Sequence, residues 1–164
     1  MRFSPAVLAL GLAASTLSVA VSGQRPDDQI NPQSVSLQKQ GEAALAAGQL
    51  AAADDALETA LVVDPRNRGA FVSLAKVAIR QKLYGKAVKL TNKALVLEPT
   101  DRSALLVQGE AMMDQGAVKR AQENLAKLQK VCSGSCTEAA QLSALIQKGP
   151  AMAAAQPATK AETN

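Results

Sequence analysis

The sequence repeats itself every 34 residues, and that period constrains the fold more than any other feature of the chain. Small or apolar residues stand at Leu37, Gly41, Ala44, Ala53, Leu57 and Ala60. One period on, the same offsets give Phe71, Ala75, Ala78, Ala87, Thr91 and Ala94, and a further period gives Leu105, Gly109, Met112, Ala121, Leu125 and Leu128. Steps of three and four within each set put its members on one face of a helix. Gly48, followed by Gln49, breaks the first copy where a turn would separate two helices. Pro65 and Pro99 close the first two copies, and Ser133 stands at that place in the third. Asn67 and Asp101, also one period apart, sit where a side chain accepts hydrogen bonds from the first free amides of the next helix. Each copy therefore reads as a pair of helices that buries its apolar face only by stacking on the next pair.

These residues resemble the tetratricopeptide repeat family. The first copy carries the pattern as Leu37, Gln40, Gly41, Ala44, Ala53, Leu57, Ala60 and Pro65. The second carries it as Phe71, Leu74, Ala75, Ala78, Ala87, Thr91, Ala94 and Pro99, and the third as Leu105, Gln108, Gly109, Met112, Ala121, Leu125 and Leu128. The resemblance covers about residues 34–133 and implies an all-α fold, an α-α superhelix of about three helix pairs, with units near 34–67, 68–101 and 102–135. Gly41, Ala75 and Gly109 are expected to face Ala53, Ala87 and Ala121 at close approach, and Phe71 and Tyr84 to fill the core. A stack leaves its last pair with a bare apolar face, so a sealing helix is required. Residues 137–148 supply it with a stripe of Leu142, Leu145 and Ile146, and Ser135 with Glu138 has the spacing of a capping box. Seven helices are expected in all.

The two ends read differently. Residues 1–23 begin with the cation Arg2, continue through a mostly apolar run from Ala6 to Val21, and reach small residues, the layout of a secretory signal peptide cleaved after Ala20 or Gly23. The run contains Gly11, Ser15, Thr16 and Ser18, and is weakly apolar for a span of about 20 residues, so no integral membrane span is expected in the mature protein. No cysteine lies near either cleavage site to carry a lipid, and the expected location is periplasmic or secreted, of an exported bacterial type. Residues 24–33 read as a polar leader with Pro26 and Pro32, and 149–164 as a disordered tail with too little apolar surface to offset the entropy of ordering. One domain, 34–148, lies between them.

Composition removes several functions. The full chain has 18 cations and 14 anions, and aromatic residues are nearly absent: beyond Phe3, only Phe71 and Tyr84 remain. Without stacking residues or a dense basic face, nucleic-acid binding is not expected. The chain has no histidine, no nucleophile elbow and no phosphate loop, so no catalytic residues, no metal site and no cofactor are expected, and the protein is read as a non-enzyme. The two cysteines, Cys132 and Cys136, lie between the third repeat and the sealing helix. In an oxidising compartment the leading reading is a disulfide, which would fix the angle of that helix. A redox-active pair lacks the two-residue spacing of the thioredoxin type, and two thiols alone are too few ligands for a metal.

The resemblance implies a protein or peptide partner bound on the concave surface of the first helices. Residues there that avoid the core stripe are Gln38, Glu42, Val72, Lys76, Ile79, Arg80, Leu106, Glu110, Met113 and Asp114. The Lys and Asn set with which some family members clamp a partner's terminal carboxylate is not reproduced. Between Arg68 and Asp101 there are seven cations and two anions, against two and five between Ser34 and Asn67. Lys76 and Arg80, one turn apart, are placed either to meet acidic side chains of a partner or simply to face water. The expected role is an exported scaffold or adaptor in an envelope complex. The alternative is a periplasmic chaperone or assembly factor holding unfolded clients, and self-association through an end of the stack is a third possibility.

Overall fold

A computed structural model describes residues 30–132 and 136–149. The expected signal peptide, most of the leader, the tail beyond Gly149 and the segment from Ser133 to Ser135 lie outside the described residues. The described chain forms seven helices and no strands: α1 (Pro32–Ala46), α2 (Leu50–Val63), α3 (Arg68–Arg80), α4 (Tyr84–Leu97), α5 (Arg102–Asp114), α6 (Val118–Val131) and α7 (Thr137–Lys148). They pair as α1 with α2, α3 with α4 and α5 with α6; each pair packs on the next, and α7 lies against both α5 and α6. This is the all-α repeat superhelix that the 34-residue period implies.

The turn between units follows from four residues. The Asn67 amide donates to the Asp64 carbonyl and the Asp101 amide to the Glu98 carbonyl, each at 3.1 Å, closing a β-turn with Pro65 or Pro99 at its second position. The acidic side chain that opens each turn then accepts from the amide two residues on, Arg66 to Asp64 at 3.0 Å and Thr100 to Glu98 at 3.1 Å. Asn67 and Asp101 cap the next helices by accepting from the amides of Ala70 and Ala104. Asn67 also donates to Ser34 Oγ, and Ser34 donates to the Ala60 carbonyl, so the first turn ties three helices together.

Within each unit the turn needs one residue in the left-handed region. Gly48 and Gly116 provide it at φ 74° and 79°, and Lys82 occupies the equivalent place at φ 61°. The helix ends there by the same pair of bonds each time, as when Lys82 donates to Ile79 and Leu83 to Ala78.

The core follows the periodic stripe most closely in the middle unit, where Phe71, Ala75, Ala78, Ala87, Thr91 and Ala94 are all buried. At the ends it loosens: Leu37, Ala44 and Leu125 are half-buried, as is Tyr84, which does not fill the core as Phe71 does. On the outer face of α1, Ser36, Gln40 and Ala43 are exposed, whereas their equivalents Ala70, Leu74 and Val77 are buried under the first pair. The amino-terminal end of the stack is thus finished with small and polar residues.

Two sequence expectations need correction, and a third falls outside the described residues. Helix α1 starts at Pro32, inside the expected leader, because Asn31 caps it by accepting from the Gln33 amide and proline suits a first helical position. The N-cap of α7 is Cys136, which makes no side-chain cap bond; Ser135 of the expected capping box lies outside the described residues, and Glu138 pairs with Arg102 of α5 at 3.9 Å. The atoms nearest to a side chain at Gly109 belong to Leu142, not to Ala121. A Cβ there would lie 2.6 and 2.7 Å from the two methyl groups of Leu142, so the missing side chain admits the sealing helix. Gly41 meets its own pair as expected, with Leu57 Cγ 2.5 Å from a Cβ position and the Ala53 carbonyl at 3.2 Å.

Candidate functional site

Helices α1, α3 and α5 line one side of the stack, and the repeat sets their residues in columns. Val35, Gly69 and Ser103 form one column, Gln38, Val72 and Leu106 the next, then Glu42, Lys76 and Glu110, and Leu45, Ile79 and Met113. A groove of about 490 Å³ runs over the upper columns, lined by Val35, Gln38, Glu42, Gly69, Val72, Ser73, Lys76 and Ser103, with Arg68 and Asp101 at its edge. A smaller hollow of about 210 Å³ follows, lined by Leu45, Lys76, Ile79, Arg80 and Glu110. Lys76 belongs to both and stands where they meet.

Glu42 lines the larger groove and is held there by two bonds. Its Oε1 accepts from Gln38 Nε2 at 2.8 Å on the same helix and from Ser73 Oγ at 2.7 Å across the gap to α3. The Gln38 carboxamide lies against Gly69, where a Cβ would come within 2.5 Å of Nε2, so this arrangement requires the glycine. Arg68 pairs with Asp101, the residue that caps α5, which closes one end of the groove with neutralised charge. At the other end burial raises the Glu110 carboxyl above the usual range, against the pull of Lys76 and with help from Asp114. Burial likewise raises Asp114. The middle column therefore runs acid, base, acid across the three helices, with Arg80 adding a second cation in the centre.

Of the ten residues expected on this face, Gln38, Glu42, Val72, Lys76, Ile79, Arg80 and Glu110 line the two hollows. Leu106 and Asp114 are half-buried nearby on α5. Val72 and Met113 are not surface residues, with 5% and 3% exposure, and both belong to the main core. The reason is that α3 and α5 have packed neighbours on both sides, so their open arc is narrower than that of α1. Val72 still forms the floor of the groove. Sequence reasoning missed Ser73, Leu45 and the column of Val35, Gly69 and Ser103; carrying the 34-residue offset to that column would have found it.

Cys132 and Cys136 are joined by a disulfide with their Cα atoms 5.8 Å apart, linking the end of α6 to the start of α7. Among the described residues no helix is long and apolar enough to cross a membrane.

No family profile and no curated protein matches the sequence. Solved structures do match its fold. The Sgt2 TPR domain from Aspergillus fumigatus superposes with a TM-score of 0.67 at 24% identity, over 72% of this chain and 79% of that one. The TPR2B domain of yeast Sti1, solved in an Hsp70 complex, gives 0.66 at 15% identity over 72% and 98%. The first TPR of Spaghetti (RPAP3), bound to the HSP90 peptide SRMEEVD, gives 0.64 at 18% identity over 71% and 94%. With the periodic turns, the paired helices and the sealing helix, these likenesses show that the chain has the tetratricopeptide repeat fold.

Proposed function

We propose that the protein is an exported protein-interaction module, an adaptor that holds an extended segment of one partner along α1, α3 and α5. The observation that carries this reading is the middle column of Glu42, Lys76 and Glu110, set in two hollows that share Lys76. A partner segment crossing it would match best with an acidic side chain over Lys76 and Arg80 and polar or basic groups over the two acids. Several fold neighbours were solved with chaperone peptides in place, which supports peptide binding as the use of this face. The peptide SRMEEVD carries two glutamates and a terminal aspartate. Here Glu42 lines the groove and Arg68 is engaged by Asp101, which disfavours a cluster of several carboxylates over a single acid at Lys76. A groove this charged also favours a defined partner over the broad apolar surface that a holder of unfolded chains uses. The reading as exported rests on the amino-terminal sequence pattern and on the disulfide, and binding rather than catalysis is taken as the task.

The test is crosslinking in the native cell envelope, pull-down of the protein and mass spectrometry, repeated with Lys76→Glu/Arg80→Glu. One dominant partner of definite stoichiometry, lost on charge reversal, is the expected result. A partner retained after reversal, or a diffuse set of unfolded clients, contradicts the proposal.

A further inference from the structure

A cavity of about 430 Å³ lies between α4, α5 and α6 and shares no residue with the concave columns. Leu95, Val96, Pro99, Leu105, Gln108 and Lys127 line it, and Val96 is 82% exposed. The repeat supplies an internal comparison, because one period earlier the same places hold Leu61, Val62, Pro65, Phe71, Leu74 and Lys93. There the aromatic ring of Phe71 is buried and the Lys93 ammonium stands over it, 5.6 Å from the ring centre. In the third unit the smaller Leu105, 1% exposed, holds the ring's place, the cation is kept as Lys127, and both line the hollow.

The two outer helices beside it are mostly basic, with Glu98 next to the lining Pro99. Helix α4 carries Lys86, Lys89 and Lys93 with no acid, and α6 carries Lys119, Arg120, Lys127 and Lys130 with one, Glu123. By contrast α2 carries only acids, and Asp54 and Glu58 draw Lys86 towards them at 3.3 and 3.6 Å. The open hollow thus sits in the basic part of the outer surface.

We propose that this hollow is a second docking site, which takes an aromatic side chain from an acidic segment of a partner protein, with the Lys127 ammonium over the ring as Lys93 stands over Phe71. The flanking acids of the segment would meet the lysines of α4 and α6. This site is independent of whatever occupies the concave columns, and the two together would let one copy of the protein hold two segments.

The proposal is tested by titrating the isotope-labelled protein with a synthetic peptide, blocked at both ends, in which one phenylalanine is flanked on each side by two glutamates. Amide and methyl shifts are expected at Leu95, Val96, Leu105 and Lys127. Exchanging the peptide's phenylalanine for alanine, or the protein's Lys127→Glu, should weaken binding about tenfold. Leu105→Phe, which restores the ring found in the second unit, should fill the hollow and abolish binding, and Val96→Glu, at an exposed lining residue outside the core, should abolish it with the spectrum of the rest of the fold kept. Shifts confined to the concave columns overturn the proposal. So do unchanged affinity in Leu105→Phe, no shift with folded wild-type protein at excess peptide, or binding to anionic vesicles with the peptide inert.

Discussion

Gly109→Ala tests the packing that holds the sealing helix in place. The added Cβ would stand 2.6 and 2.7 Å from the Leu142 methyl groups and 3.3 Å from its Cγ, where an ordinary contact needs about 3.5–4.0 Å. Leu142 is fully buried against Leu105 and Leu128, so it has no open side to turn into and α7 must retreat. Such overpacking costs about 1–3 kcal/mol, while exchanging glycine for alanine inside a helix returns about 1 kcal/mol. The net expectation is a loss of about 0–2 kcal/mol. Leu142→Ala alone empties a sealed site and should cost about 2–5 kcal/mol. In the double variant the new Cβ enters the vacated space, its clash disappears and its helix propensity remains. The double should therefore be about 1 kcal/mol more stable than Leu142→Ala, a coupling of about 1–3 kcal/mol between the two positions. Urea unfolding of the four proteins, followed by helical circular dichroism, measures this directly. Strict additivity, with Gly109→Ala more stable than wild type, would refute the assignment of Leu142 to that space.

Three further outcomes are expected. Lys82→Gly should raise the melting temperature, because a lysine in the left-handed region costs about 1–2 kcal/mol against about 0.4–1 kcal/mol of extra chain entropy for glycine; an unchanged or lower value contradicts the strain. The Asp64 carboxyl is held well below its usual range, first by the Arg66 side chain and then by the amides of Asn31 and Arg66. A depressed folded-state value stabilises above the unfolded carboxylate range and is lost as pH falls through it, so Asp64→Asn should be less stable than wild type at neutral pH, with the gap closing on acidification. Reducing the bond between Cys132 and Cys136 should destabilise by about 2 kcal/mol in the chain-entropy picture, with faster amide exchange in α7 than in α3 and α4.

Much of this architecture was legible because the period is long and regular. The prolines, the acids before them and the capping residues Asn67 and Asp101 each act through neighbours two or three positions away, so spacing alone locates them. What spacing could not locate were contacts made across units. The partner of Gly109 lies on a helix outside the repeat; Lys82 falls one period from both Gly48 and Gly116, but its residue type does not announce the left-handed turn. Polar side chains carry part of the core in the third unit. Gln108, which stands in the repeat pattern, and Asn124, which the pattern does not include, are buried and bonded to each other at 2.9 Å, with Thr91 and Asn92 satisfying the Gln108 amide. In the second unit Leu74 and Leu90 hold those places. The candidate site was partly legible for a related reason: the columns follow from the period, but which column stays open depends on how closely the neighbouring helices approach.

The central claim is that the face of α1, α3 and α5 is the one that holds a partner segment. A photo-crosslinking residue placed at Ile79, within the smaller hollow, and in a separate variant at Asp55, exposed on α2, tests it most directly. Crosslinks to a single partner from position 79 and none from position 55 are the predicted result. Crosslinks from position 55 with position 79 silent would contradict the account.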